Sequence, residues 1–220
     1  AVENLGSGVG VENGWVEALV VHPGLDVDHH RSPLAVVDPP VEAGVLGDRV
    51  PTSEDLPKLD LTRRVIEEAM RLHPPAWMMS REVRKDTRLG EYFIPRGSVV
   101  IIPPYLIHRN PRFWDEPLRF DPSRFLPEAR RSRPRYAYFP FGGGPRLCIG
   151  LGFALAEATL VLARVSQRYR FERPAHAEPL RLRTQITLRP ESGMTMILRR
   201  RGEALEATES VREDGVASPE

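Results

Sequence analysis

The 220 residues suffice for one domain with a hydrophobic core, and a formal net charge of +1 excludes a dedicated, strongly basic nucleic-acid-binding domain. The single cysteine excludes an internal disulfide and a zinc site built from several cysteines. Because no signal-peptide pattern and no bilayer-length apolar run is present, we expect a soluble, cytoplasmic protein with no membrane or nucleic-acid partner.

The N-terminal part of the chain differs from the rest. Residues 1–45 show no sustained helical or alternating periodicity, and we interpret them as an atypical segment. The pattern changes at Leu46. Residues 52–56 favour a capped short helix, and apolar residues at helical spacing over 61–72 predict a helix that Pro74 and Pro75 end.

The middle of the chain predicts short strands followed by a long loop. Extended segments at 81–83, 92–94 and 98–102 alternate with turn residues and predict a small sheet. Residues 103–140 are rich in proline, arginine and aromatic residues and predict a long meander with a short helix near Ile107. In a compact domain such a long loop is typically functional.

The C-terminal part predicts one long helix over 150–169, with an apolar face. Residues 180–188 and 194–198 then predict a closing hairpin, and 201–220 predict an acidic, disordered tail. The elements together predict a mainly α protein with small β-sheets (α+β).

The only cysteine, Cys148, lies in the segment Phe-Gly-Gly-Gly-Pro-Arg-Leu-Cys-Ile-Gly. A helix that begins just after it directs unpaired N–H groups and the positive end of its dipole at the sulfur, which favours the thiolate. Gly144 and Gly150 permit close approach by a flat ligand, Phe141 can shield the sulfur, and Arg146 offers donors suited to a carboxylate. The pattern indicates haem with Cys148 as the axial iron ligand.

The same segment admits three other interpretations. An isolated cysteine is ordinarily a small buried apolar residue, which leaves the flanking pattern unexplained. A phosphate-binding loop needs Lys before Ser or Thr, and this segment has none. A dinucleotide-binding fingerprint that starts at Gly150 needs a small residue where Leu155 stands. Both nucleotide interpretations therefore fail.

Five residues fill every fixed position of a Phe-x-x-Gly-x-Arg-x-Cys-x-Gly signature, namely Phe141, Gly144, Arg146, Cys148 and Gly150. In this the segment resembles the haem loop of the cytochrome P-450 family, the haem-thiolate monooxygenases. The resemblance covers residues 46–200 and implies the C-terminal, haem-binding portion of that fold.

Two upstream motifs also resemble the family. They are Glu68-x-x-Arg71 in the predicted helix and the Phe-Asp-Pro-Ser-Arg-Phe segment that contains Arg124. On helical spacing alone, Glu68 and Arg71 could form an exposed ion pair of small energy. The resemblance implies instead a buried structural network of Glu68, Arg71 and Arg124 behind the haem loop.

The resemblance also assigns residues to the cofactor and to a substrate pocket. Arg81 would contact a haem propionate, as Arg146 would; the alternative is a solvated charge at the end of a strand. Four residues would line the substrate pocket, and the alternative for them is ordinary core. These four are Ala76, Trp77, Met78 and Ile186.

The stretch from Arg130 to Arg146 contains no acidic residue. It can be a solvated loop, or it can dock an acidic electron donor, whose encounter the positive charge would accelerate. Its candidate docking residues are Arg130, Arg131, Arg133, Arg135 and Arg146.

The resemblance implies an enzyme that inserts one oxygen atom of O₂ into a small apolar organic substrate, with electrons from a separate ferredoxin, flavodoxin or reductase. Residues 1–50 lack the family's Ala/Gly-Gly-x-Asp/Glu-Thr motif, so we expect the N-terminal half of the fold and its distal oxygen-activating helix to be missing. Residues 1–45 also resemble the translation of a shifted reading frame, or an unrelated segment fused to the family sequence. The alternative function is therefore an inactive truncated or frameshifted remnant that binds haem weakly or not at all.

Overall fold

The computed structural model describes residues 43–174 and 180–201. The described helices are α1 (Ala43–Leu46), α2 (Asp60–Leu72), α3 (Pro104–Ile107), α4 (Pro127–Ser132) and α5 (Leu151–Arg168). Short 3-10 turns occur at Ser53–Lys58, Pro122–Phe125 and Gly144–Arg146. The strands are β1 (Met79–Glu82), β2 (Thr87–Leu89), β3 (Tyr92–Ile94), β4 (Val99–Ile102), β5 (Tyr169–Glu172), β6 (Leu182–Thr184), β7 (Leu188–Pro190) and β8 (Ile197–Arg200).

The predicted class, mainly α with small β-sheets, is confirmed. The predictions for residues 1–42 and 202–220, which cover nearly all of the atypical segment and the acidic tail, lie outside the described ranges. No helix in the part that the structure describes is long and apolar enough to cross a membrane.

The strands form antiparallel pairs rather than one sheet: β1 with β4, β2 with β3, β5 with β8, and β6 with β7. The predicted closing hairpin between 180–188 and 194–198 is wrong. β6 turns back into β7 at residues 185–187, and β8 pairs with β5 instead. The turn at 185–187 contains neither glycine nor proline, so the apolar pattern runs through it without a visible break.

Two helices provide the framework because each has one apolar face. Val65 and Leu72 are buried on α2, which ends just before Pro74 as proline requires. α5 packs against α2, and its Ala163 joins Leu46 and Leu59 in a buried cluster. The start of α5, which follows the Cys148 segment, is thereby fixed relative to α2.

A capped 3-10 turn leads into α2. Arg49 donates two hydrogen bonds to the Asp55 carboxylate, and the Thr52 N–H donates a third at 2.8 Å. The Arg49 guanidinium first, and the Thr52 N–H second, hold the pKa of Asp55 well below its usual range.

The meander between α3 and α5 has a small aromatic core of its own. Trp114 and Phe125 are buried, and the Tyr138 ring centroid lies 4.8 Å from that of Phe125 and 6.4 Å from that of Trp114. The Tyr138 hydroxyl donates to the backbone carbonyl of Glu67 at 3.0 Å. The aromatic core is thereby attached to α2 at Tyr138, which precedes the cysteine segment in the chain by a few residues.

Candidate functional site

The segment around Cys148 is a tight loop closed by its own backbone. The Cys148 N–H donates to the Phe141 carbonyl at 3.0 Å, which brings the two ends of the signature together. Gly142 and Gly144 have φ angles of +78° and +64°, a region that favours glycine. A Cβ atom on Gly143 would lie only 2.7 Å from a ring carbon of Tyr136, so the Tyr136 ring packs directly on this loop.

The Cys148 thiol is exposed at the start of α5. A Cβ atom on Gly150 would contact the Cys148 Sγ at 3.7 Å, so glycine leaves the space beside the sulfur open. Leu147 and Phe153 are also exposed, and Ile149 is fully exposed. An exposed sulfur among exposed apolar side chains can accept a flat, largely apolar ligand.

The structure brings the two predicted propionate-binding arginines together. An open cavity of about 410 Å³ is lined by Ser80, Arg81, Glu82, Arg84 and Arg146. Three arginines and one glutamate give these side chains a formal net charge of +2, which matches the two propionates of haem. Sequence reasoning missed Arg84, whose only signal was its position two residues beyond the end of β1.

β1 also touches the cysteine loop. The sulfur of Met79 lies 3.3 Å from where a Cβ atom on Gly142 would stand, so a side chain there would require the Met79 sulfur to shift. The strand that carries Arg81 is thus seated against the loop that carries Cys148. Within residues 43–174 and 180–201, no group of three or more His, Cys, Asp or Glu side chains could hold a metal ion. The Cys148 sulfur and the arginines of the β1 cavity are the donors that haem needs for its iron and its acid groups.

Glu68 and Arg71 form a fully buried, bidentate ion pair, with Nε–Oε2 and Nη2–Oε1 distances of 2.7 and 2.8 Å. The alternative of an exposed pair is therefore wrong. Arg71 directs its remaining N–H groups at the backbone carbonyls of His108, Pro117 and Arg119, at 2.7–3.1 Å. One guanidinium thus fixes three points of the meander, and its five donors are all used.

Arg124 lies beside this pair but is less closely bound. Its Nε is 3.6 Å from Glu68 Oε1, an ion pair beyond direct hydrogen-bond distance, and its Nη2 donates to the Glu116 carbonyl at 3.0 Å. The Asp121 N–H occupies the same Glu68 oxygen at 2.8 Å. The structure therefore brings the three predicted network residues together around the Glu68 carboxylate.

A second buried glutamate, adjacent to the first, was missed by sequence reasoning. Glu67 accepts two hydrogen bonds from Arg130, whose Nε also donates to the Phe125 carbonyl at 2.6 Å. Arg133 lies over the aromatic core and donates to the Arg124 carbonyl. Glu67 lies 63 positions from Arg130, and Trp114 lies well before Arg133 in the chain, so no spacing pattern could reveal these contacts.

These contacts correct the interpretation of the arginine-rich stretch. Arg133 packs inward on the aromatic core, and Arg130, although exposed, pairs with the buried Glu67, so the five arginines form neither a uniformly solvated loop nor a single free docking surface. Arg131 and Arg135 are exposed, and Arg146 lines the cavity near β1. In the sequence, only the nearby aromatic residues could have suggested that the Arg133 side chain packs inward.

His108 connects the buried network to the cysteine loop. Its imidazole is buried, and its Nε2 accepts the Phe139 N–H at 3.0 Å. Burial, followed by the charges of Arg71 and Arg109, lowers the pKa of His108 to about 3. The imidazole is therefore neutral at physiological pH, as an acceptor must be.

The four predicted pocket residues lie on two segments that touch. The Trp77 indole Nε1 donates to the Gln185 carbonyl at 2.8 Å, next to the fully exposed Ile186 at the tip of the β6–β7 hairpin. Ala76 and Met78 are exposed on either side of Trp77, which is half-buried. None of the four is core within the described residues, and together they form an apolar edge that leads to β1.

Comparisons with known proteins agree with this geometry. Residues 42–197 match the sequence profile of a family described as Cytochrome P450. Cyclooctatin synthase of Streptomyces melanosporofaciens is 46% identical over 144 residues, which are 66% of this chain and 31% of that protein. Cytochrome P450 4V2 of Homo sapiens is 40% identical over 154 residues, or 70% of this chain and 29% of that protein.

A solved structure shows the same fold. The crystal structure of the cytochrome P450DA heme domain is 34% identical, with a TM-score of 0.67 over 72% of this chain and 35% of that one. The chain spans about a third of the length of the relatives that it matches. Since the profile match, the identities and the solved fold all agree, the chain belongs to the cytochrome P450 family.

Proposed function

We propose that this chain forms the cysteine side of a haem-thiolate monooxygenase, with Cys148 as the iron ligand. The observation that carries the proposal is the exposed Cys148 thiol in a glycine-rich loop, seated against the strand that bears Arg81. Proteins of this family hold haem iron through a cysteine thiolate, and the bound haem supplies the activation of O₂.

The residues of this chain would bind and orient the cofactor. The hydrogen bond from Cys148 N–H to the Phe141 carbonyl holds the sulfur-bearing loop in one conformation. Arg81 and Arg146 would bind the propionates, and Arg84 completes the positive charge of that cavity. The exposed Leu147 and Ile149 would exclude water from the sulfur when they are covered by the ring.

The proposed substrate is a small apolar organic molecule. Trp77, Met78 and Ile186 supply an exposed apolar edge for it, with the hairpin held in place by the Trp77–Gln185 hydrogen bond. The overall reaction would insert one oxygen atom of O₂ into a C–H bond. The other oxygen atom leaves as water, with two electrons and two protons taken up.

Those electrons would come from a separate ferredoxin, flavodoxin or reductase in the cytoplasm. Of the arginine-rich stretch, Arg131 and Arg135 are exposed and lie outside both the Glu67 pair and the β1 cavity, which leaves them for an acidic donor. Replacing both by Gln should slow donor-dependent reduction and flatten its dependence on salt, whereas Arg88→Gln on β2 should change neither. Unchanged reduction in the double variant would reject this docking surface.

The alternative function is a remnant that binds haem weakly or not at all. Its support is the sequence of residues 1–50, which lacks the Ala/Gly-Gly-x-Asp/Glu-Thr motif of the family's oxygen-activating helix.

One measurement separates the two functions. The chain is loaded with haem, reduced and exposed to carbon monoxide, and its Soret region is recorded. A strongly red-shifted ferrous–CO band that Cys148→Ser abolishes supports the thiolate site. Its absence in the unmodified chain supports the remnant. Substrate oxidation with a surrogate reductase then tests turnover.

We also propose that the chain consists of three regions. We take residues 46–200 as the haem-binding region, 1–45 as an atypical segment of different origin, and 201–220 as a tail. If 1–45 arose by a frameshift, the DNA upstream of codon 46 should encode a Gly-x-Asp/Glu-Thr helix in another frame. Translation of both other frames without such a helix would reject that origin.

A further inference from the structure

Arg133 occupies a position that charge pairing does not explain. The two buried glutamates of α2 already have bidentate partners, since Glu68 binds Arg71 and Glu67 binds Arg130. The ion pairs of both carboxylates are thus made by other arginines. Burial first, and the charge of Arg130 second, lower the pKa of Arg133 to about 10, so holding a cation here is unfavourable unless other contacts compensate.

Glu67 and Glu68 attract the Arg133 charge without forming an ion pair with it, and its direct contacts are aromatic. The Arg133 Cζ lies 4.3 Å from the ring centroid of Trp114, 4.7 Å from that of Phe125 and 6.0 Å from that of Tyr138. These distances are those of cation–π interactions, which strengthen when the cation is partly desolvated. A single guanidinium therefore contacts all three rings of the meander's aromatic core.

The same guanidinium also binds backbone. Its Nη2 donates to the carbonyl of Arg124, the residue whose own side chain reaches Glu68. Arg133 thus sets the position of Arg124 from one side while Glu68 sets it from the other. An arginine can do both at once because its fork is planar and carries five donors.

From this core the chain runs directly into the cysteine loop. Tyr138 packs against His108 at 5.1 Å, and the next residue, Phe139, donates its N–H to the same imidazole. The Phe139 carbonyl accepts the Gly142 N–H at 2.9 Å, which begins the loop whose far end is Cys148. Displacement of the aromatic core would therefore move the loop's entry.

We propose that Arg133 is a positioning residue for the Cys148 loop, acting through the Trp114–Phe125–Tyr138 core and the Arg124 carbonyl. The role as a haem-loop support rests on the proposed function, whereas the effect on the loop's conformation does not. It is distinct from the Glu68–Arg71–Arg124 network because Arg133 stabilises the loop's entry without pairing with a carboxylate.

Native-state hydrogen exchange on the full chain tests the proposal without any cofactor. Arg133→Gln should accelerate exchange of the Phe139 and Cys148 amides at least 10-fold. Amides inside α2 should stay within twofold of the unmodified chain, and Arg131→Gln, on the same segment but exposed, should change none of them. Equal acceleration throughout the chain, or none at Phe139, would overturn the proposal.

A second pair of variants covers the case in which Arg133→Gln does not fold. Arg133→Lys keeps the charge and can still donate hydrogen bonds but loses the planar stack, so the Phe139 and Cys148 amides should exchange about threefold faster than in Arg131→Lys. Equal rates in the two lysine variants would overturn the proposal. In the haem-loaded chain, Arg133→Gln should also lower the red-shifted share of the ferrous–CO spectrum. An unmodified chain without that band rejects the proposed function and leaves the exchange test of Arg133 intact.

Discussion

At the residue scale, the buried Glu68–Arg71 pair combines a bidentate ion pair with three hydrogen bonds from Arg71 to backbone carbonyls. Removing one partner strands a charge in a site that water does not reach, at a cost of about 3–5 kcal/mol. We therefore expect Arg71→Leu to lower the free energy of unfolding by that amount. Denaturant unfolding measures it.

The matched control for this prediction is the double variant. Glu68→Leu together with Arg71→Leu removes both charges, so its cost should be smaller than the sum of the two single costs. Additive costs would show that the pair is not energetically coupled, contrary to the bidentate geometry.

A second prediction at this scale contrasts two glycines near Cys148. A Cβ atom on Gly143 would meet the Tyr136 ring at 2.7 Å, whereas one on Gly152 would meet nothing within 4 Å. Gly143→Ala should therefore destabilise the fold by about 1–3 kcal/mol through overpacking. Gly152→Ala, inside α5, should stabilise it by up to about 1 kcal/mol. Thermal unfolding measures both, and the same sign for both variants would contradict the prediction.

At the scale of elements, two hydrogen bonds join the β6–β7 hairpin to the segment that precedes β1. The Trp77 indole donates to the Gln185 carbonyl, and the Leu188 N–H donates to the Pro75 carbonyl at 2.9 Å. Trp77→Phe keeps an aromatic ring and removes the first bond. We expect faster amide exchange and proteolysis in residues 182–190 and no change in α2.

The result would bear directly on the proposed pocket. Arg88→Gln, on the separate β2–β3 pair, serves as the unaffected control. If the hairpin is as protected in Trp77→Phe as in the control, the indole does not hold it. Ile186 would then have to be positioned by other contacts.

The elements also show which structures could be predicted from sequence. α2 and α5 follow from apolar periodicity with a proline or a glycine at one end, and both signals are local. The pairing of β5 with β8 joins Tyr169 to Arg200 across an intervening hairpin, so no local pattern could specify it. The turn at 185–187 lacks the residues that ordinarily mark a turn.

In the candidate site, too, local features could be predicted from the sequence and long-range contacts could not. The Cys148 loop could be predicted because its chemistry lies within ten consecutive residues. The Glu67–Arg130 pair joins residues 63 positions apart, and Arg133 contacts rings drawn from three parts of the meander. Such contacts depend on tertiary packing, which spacing in the sequence does not encode.

At the scale of the whole molecule, the half-buried His73 and the buried His108 contribute to how the fold responds to acid. Burial, then Arg109 and Arg71, lower the pKa of His73 to about 4, and the pKa of His108 is about 3. Both values lie below the ordinary value of 6.5, so the unfolded chain binds these protons first as the pH falls. Stability should therefore be complete above about pH 6.5 and decline toward pH 3, by up to about 1.4 kcal/mol per pH unit for each histidine.

Denaturant unfolding between pH 7 and pH 4 measures this decline. His108→Gln can still accept the Phe139 N–H but does not titrate, so its slope should be shallower than that of the unmodified chain. Its stability at pH 7 should be lower, since the imidazole also packs on two aromatic rings. An unchanged slope would mean that other groups govern the acid response.

The way in which Arg71 holds the meander has a consequence for sequence variation. Its three long-range acceptors, on His108, Pro117 and Arg119, are all backbone carbonyls, which every amino acid possesses. At Pro117 and Arg119 the side chain is therefore free to change while the carbonyl stays in place. Segments of this loop exchanged between relatives should be accepted by the same α2 helix, provided that no residue is inserted or deleted between 108 and 119.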